Sequence, residues 1–105
     1  MPTTTSFLSI SKTFTSASVA EPLSLVSIPF YSANFYVADN GCYYGNGTNQ
    51  GLYIPAGGYF DHRFGDLKDI FFITDGVGDT KITVVATVPV EYVKTVLEIG
   101  GKIGL

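Results

Sequence analysis

Histidine, cysteine and the carboxylates are where chemistry would begin in this chain, and they are few. His62 is the only histidine and Cys42 the only cysteine among 105 residues. Nucleophilic sites of the Ser-His-Asp or Cys-His kind need His as the proton carrier. A zinc site needs several His or Cys ligands, and a non-haem iron or manganese site needs two or three His. One His and one Cys, separated by Gly-rich turns, assemble neither, so no catalytic residue, metal ligand or cofactor is expected. A single Cys also excludes an intrachain disulfide. Asp61 and Arg63 flank His62 on a segment that reads as a strand, the setting of a surface residue. Asp75 and Asp79 could offer oxygens to Ca²⁺, but the spacing lacks the ligand count of a calcium loop, and Asp is ordinary turn chemistry. Asp66 with Asp69, or Asp61 with Asp66, match a glycosidase pair in residue type only. The glycines from Gly41 to Gly58 lack the spacing of a phosphate loop ahead of a helix and read as turns. Asn46-Gly47-Thr48 has the form of a glycosylation sequon; with no secretion signal over residues 1–20 it reads as chance.

The elements that would position these groups are strands. Asp69–Thr74 and Lys81–Val88 are apolar runs joined by Asp75-Gly76-Val77-Gly78-Asp79, and they read as paired antiparallel strands. Ile82, Val84, Ala86 and Val88 share one face of the second run, opposite Lys81, Thr83, Val85 and Thr87. Upstream, residues 2–18 form a Thr/Ser-rich lead, either an edge strand over about 6–15 or an arm that orders on a neighbour. Further strands are expected over Leu23–Ile28, Ala33–Ala38, Cys42–Tyr44, Gly51–Ile54 and Tyr59–Phe64, with one helical turn over Gly65–Asp69. Turn signals recur about every 8–12 residues, the spacing of a sandwich, jelly roll or small barrel. After Pro89 the period changes to three and four. Tyr92, Val93, Val96, Leu97 and Ile99 share one face, which predicts a short amphipathic helix stopped by Gly100-Gly101. The expectation is one all-β domain over residues 1–105. It is a single jelly-roll-like antiparallel β-sandwich of about eight strands, with a short C-terminal helix and a tail, 90–105, able to dock.

Composition narrows the function classes. Only 15 of 105 residues are charged, 14% against about 25% in an ordinary domain. Either a Ser/Thr-rich exterior accounts for this, or part of the surface is covered by other chains. A net charge of −3, with six scattered Lys and Arg, argues against nucleic acid. The uncharged internal run Pro22–Ala38 is too short and polar to cross a membrane. Six of the seven tyrosines, Tyr31, Tyr36, Tyr43, Tyr44, Tyr53 and Tyr59, fall within 29 residues. Such rings can pack inside a sandwich, line a protein interface or stack on sugars.

One further pattern carries a resemblance. Asn34-Phe35-Tyr36-Val37 is followed by Leu52-Tyr53-Ile54-Pro55-Ala56-Gly57-Gly58. Asp66-Leu67-Lys68-Asp69-Ile70 comes next, then Gly78-Asp79 and a Val-rich strand. Over residues 22–88 this resembles the small structural proteins of tailed bacteriophages, the capsid decoration (cement) and head-fibre subunits. The resemblance implies a jelly-roll-like sandwich without catalytic residues. It also implies a homo-oligomer, expected as a trimer, bound to the major capsid protein on the virion surface and assembled in the host cytoplasm. Candidate interface residues on this reading are Phe7, Leu8, Ile10, Tyr43, Tyr44, Tyr92, Val96 and Ile99. A carbohydrate- or receptor-binding sandwich, or a tail or baseplate subunit, are the alternatives.

Overall fold

The computed structural model describes residues 5–15 and 18–104. The remaining residues of the N-terminal lead lie outside them. The strands are β1 Thr5–Phe14, β2 Glu21–Pro22, β3 Pro29–Ala38, β4 Cys42–Gly45, β5 Leu52–Ile54, β6 Tyr59–Asp66, β7 Phe71–Thr74 and β8 Thr80–Pro89. A 3-10 turn, Leu67–Asp69, precedes β7. A second, Val90–Tyr92, leads into α1 (Val93–Glu98), and β9 (Lys102–Gly104) ends the described chain. One sheet has the order β6-β3-β8-β1-β9 and the other β2-β7-β4-β5, with every pairing antiparallel. Without β9, these are the two interleaved four-stranded sheets of an eight-stranded jelly roll.

Apart from the β4–β5 hairpin, successive strands from β1 to β8 change sheet, and this corrects the expected pairing of Asp69–Thr74 with Lys81–Val88. β7 pairs with β2 and β4, whereas β8 pairs with β1 and β3. The Asp75–Asp79 turn is therefore a crossover between sheets. Phe72 and Thr74 are buried from the opposite sheet to Ile82 and Val84 instead of lying beside them. Period-2 patterning tells which side of a strand is buried and not which strand lies next to it, so the two arrangements look alike in sequence.

Hydrogen bonds tie both ends of the roll. At one end the Gly41 carbonyl accepts from the Asp75 amide at 3.2 Å and from the buried Thr80 hydroxyl at 3.0 Å. The Asn40 side chain donates to the Asp79 carbonyl at 2.8 Å, and the Pro55–Gly58 crossover exchanges backbone bonds with Val37. Asp39 turns the chain there with φ +74°, a conformation that Asp tolerates better than most residues. At the opposite end the Asp66 carboxylate gathers the loop before β3 and the 3-10 turn. The Pro-Ala-Gly-Gly and Asp-Leu-Lys-Asp motifs are thus the crossovers at the two ends of β6.

The interior is apolar and aromatic. Phe14, Phe35, Phe72, Ile82, Val84 and Val88 are fully buried between the sheets. Leu23–Ile28 is a loop instead of the expected strand. Ser24 folds back on itself, its hydroxyl donating to the Val26 carbonyl and accepting from the Val26 amide. Pro29 opens β3 instead of ending a strand, since the first residue of a strand is one of the places where its missing N–H is tolerated. The short helix forms as expected. Its continuation pairs with β1 through Lys102–Gly104, a strand that three residues after a glycine pair do not announce. Gly101 permits this tuck, because a Cβ there would stand 2.6 Å from Val96 Cγ1 and 2.8 Å from Ile10 Cγ1.

These placements settle where several candidate interface residues lie. Leu8, Ile10 and Val96 are 1%, 5% and 0% exposed and belong to the chain's own core. Tyr44 and Tyr92 are half-buried against that core. Phe7, Tyr43 and Ile99 remain exposed, at 56%, 39% and 37%. The described part of the lead is a ten-residue strand between β8 and β9, not a loose arm, and the tail is an integral part of the sheet. Leu8→Ala should lower unfolding stability by about 2–5 kcal/mol in urea. A chain lacking residues 1–14 should not unfold cooperatively, because it has lost Leu8, Ile10 and Phe14 together. A cooperative transition in that truncated chain would contradict the fold.

Candidate functional site

Two surfaces stand out, a groove at one side of the sandwich and the flat outer face of the five-stranded sheet. The groove is bounded by β4 and β5 on one sheet and by β6, the edge strand of the other. Its apolar lining comes from alternation: Tyr44 pairs with Leu52 across β4 and β5, so both point inward, and Phe60 points inward from β6. Phe35, Phe60 and Tyr44 form a three-ring stack. Centroids are 4.7 Å apart for Phe35–Phe60 at an interplanar angle of 10°, and 3.9 Å for Phe60–Tyr44 at 9°. Tyr44 is the last ring and lines two adjoining cavities of about 300 and 380 Å³, which also share Gly45, Asn46 and Leu52.

His62, Asp66 and Asp69 supply the polar side of the 300 Å³ cavity. The Asp66 carboxylate accepts from the Ile28 amide at 2.8 Å, the Lys68 amide at 3.0 Å and the Ser27 hydroxyl. Burial by itself would raise its pKa. The hydrogen bonds from Ser27, Lys68 and Ile28, aided by the Lys68 charge, outweigh that and hold the carboxyl below its ordinary value. Asp66 is therefore a cap and a clasp. His62 makes an edge-to-face contact with Phe30, 5.9 Å between ring centroids. Gly65 makes room for both rings, since a Cβ there would lie 2.8 Å from Phe30 and 3.0 Å from His62. The preceding Phe64 has φ +55° and is 79% exposed. A left-handed bulky residue costs about 1–2 kcal/mol and breaks the alternation of the edge strand.

Of the residues that sequence alone could have grouped for chemistry, the structure brings Asp66 and Asp69 to one cavity with His62 and leaves the others apart. Asp61 pairs with Asn34 and faces outward, away from Asp66 and Asp69. Asp75 accepts from the Val77 amide at 2.9 Å, as a turn residue does. Cys42 is buried in the core, where burial and then the Asp75 charge push its thiol up to about 12, leaving it neutral and unreactive. Burial, then Cys42, raises the Tyr44 phenol as well, so it remains a neutral hydrogen-bonding group. Among the described residues no three His, Cys, Asp or Glu side chains cluster as metal ligands. No helix among them is long and apolar enough to cross a membrane. The groove itself was missed in sequence. Its only signal was the inward phase of Tyr44, Leu52 and Phe60 on three separate strands.

The second surface is the outer face of β6, β3, β8 and β1. Its centre carries Ser32, Asn34, Tyr36, Thr83, Val85 and Thr87, with Ser9 and Ser11 beside them. Hydroxyls pair across strands: Ser11 with Thr83 at 2.9 Å and Ser32 with Thr87 at 3.0 Å. The charges sit at the margins, Asp61 and Arg63 on the edge strand, Lys81 at the start of β8 and Lys102 on β9. Ser and Thr on this sheet account for much of the low charge of the chain.

No family model and no curated protein matches the sequence. Solved structures match the fold. A conserved protein with a double-stranded β-helix domain from Klebsiella pneumoniae aligns with TM-score 0.57 at 12% identity, over 100% of this chain and 80% of its own. Fatty-acid-bound ToxT from Vibrio cholerae aligns with TM-score 0.50 at 10% identity, over 92% of this chain and 34% of its own. This chain spans about a third of ToxT. At these identities the likeness extends to the fold alone: a double-stranded β-helix, or jelly roll.

Asp66→Ala should reduce stability by about 1–2 kcal/mol near neutral pH, as loss of a helix-turn cap does. Because the folded carboxyl titrates below its unfolded value of 3.8, its contribution is present above that pH and disappears as pH falls through the lower folded value. Acid titration of the wild type should show this loss below about pH 4, and the variant should show a shallower decline. Matching acid limbs would refute the clasp.

Proposed function

We propose that this chain is a non-enzymatic virion structural protein, a capsid decoration or cement subunit. It binds the outer capsid lattice as a symmetric oligomer, with a trimer as the expected form. The observation that carries the reading is the outer face of the five-stranded sheet. Protein interfaces concentrate aromatic and uncharged groups at the centre and leave charge at the rim. Tyr36, Val85 and the paired Ser and Thr hydroxyls form such a centre, with Asp61, Arg63, Lys81 and Lys102 around it. Hydroxyls already bonded to one another lose less on drying than hydroxyls bonded to water. Four long strands about 4.8 Å apart and about 34 Å long frame roughly 650 Å². That is comparable to the roughly 800 Å² that each partner contributes to a standard interface. The likeness of residues 22–88 to phage decoration proteins supplies the partner, the major capsid protein.

The test joins a mass measurement with co-sedimentation on empty capsids. Wild-type protein should be an oligomer and should pellet with capsids. Tyr36→Lys with Val85→Lys changes two outward side chains, so the fold should persist while capsid binding weakens about tenfold or more, as buried unpaired charge requires. A wild-type monomer left in the supernatant, or a double variant that pellets like the wild type, would overturn the proposal.

A further inference from the structure

The groove between β4–β5 and β6 faces a different direction of chemistry from the flat sheet, and its contents select a ligand class. Tyr44, Leu52, Phe60 and Ile70 give it an apolar wall, with Tyr44 closing the ring stack. Its polar groups are mixed in kind. Asp69 accepts hydrogen bonds, and among the described residues its side chain has no partner. Among the described residues the His62 ring is engaged only through its contact with Phe30. The Asn46 side-chain Oδ1 already accepts from the Thr48 amide and hydroxyl and from the Asn49 amide, and among the described residues its side-chain NH₂ has no acceptor and is left to donate. No Lys or Arg lines either cavity, and Asp66 is held ionised, so phosphate, sulfate and carboxylate ligands are disfavoured. A cation would meet the carboxylates but leave the Asn46 donor without an acceptor. A pyranose has an apolar C–H face for an aromatic wall and hydroxyls that both donate and accept. The cavity volumes lie at the low end of ligand pockets, the size of one or two sugar units.

We propose that this groove is a binding site for a neutral sugar residue at the end of a glycan, with Tyr44 as the stacking wall and Asp69, His62 and Asn46 as the hydroxyl partners. The site does not depend on the capsid reading, because it uses the opposite side of β6 from the flat face. A decoration subunit carrying it would add surface adhesion to lattice binding.

The full chain is titrated with glucose, galactose, N-acetylglucosamine and maltotriose while its amide resonances are followed. Saturable shifts centred on Tyr44, Asn46, His62 and Asp69 are expected for at least one sugar, with a Kd on the order of 1 mM for so small a site. Tyr44 supports the core, so the test variants are Asp69→Ala and Leu52→Arg, both at exposed positions. Each should weaken the sugar about tenfold or more without moving the unfolding midpoint. The Tyr36→Lys, Val85→Lys variant should bind the sugar unchanged, which separates the two functions. Absence of saturable shifts with all four sugars would overturn the site. So would shifts centred on Tyr43 and Tyr53, or choline binding more tightly than any sugar.

Discussion

Two sheets must be held face to face across about 10 Å with side chains from a short chain, and rings crossing from one sheet to the other do this. Phe35 and Phe60 come from the five-stranded sheet, Tyr44 and Phe72 from the other, and Phe72 lies 5.7 Å from Phe35 and 5.6 Å from Phe14. Stacked and tilted ring pairs add about 0.5–1.5 kcal/mol each beyond the area they bury. The same stack fixes the depth of the groove, since Tyr44 is both the last ring of the core and the first surface that a ligand would meet. Core packing and the candidate site are therefore one object, built from strands of both sheets.

The two outer surfaces follow from the same economy of composition. With 15 charges in 105 residues, the chain cannot clothe itself in Lys and Glu. It uses hydroxyl ladders on the long sheet and turn amides at the ends. Every buried side-chain polar atom among the described residues has a partner. The charged groups are kept for local tasks. Asp66 clasps one end of the roll, and Lys12 lies over the Phe14 ring while reaching the Pro22 carbonyl and Glu21. Phe64, held in a left-handed conformation on the edge strand, keeps that edge from templating further strands.

Much of this was legible in the sequence because burial repeats at a period of two. The inward faces of β3 and β8, the turn before β7 and the C-terminal helix were all read from patterning. The fold class followed from strand count and turn spacing. Partner choice was not legible. The Asp75–Asp79 turn looks the same whether it joins neighbours or opposite sheets, and only the whole roll decides. Leu8, Ile10 and Val96 look like free apolar positions until β9 and the helix cover β1. Leu23–Ile28 has strand-like composition, but Ser24 bonds its own loop and the Asp66 clasp holds the segment outside either sheet. The groove was invisible for a similar reason: its residues are spread over β4, β5 and β6 and meet only across the gap between sheets.

A double-mutant cycle on Phe60→Leu and Tyr44→Leu, read by equilibrium unfolding in urea, tests the ring stack most directly. The account predicts a coupling of about 0.5–1.5 kcal/mol between the two positions, the size measured for stacked aromatic pairs. Changes that add to within about 0.3 kcal/mol would mean that the rings do not meet across the sheets, and would contradict it.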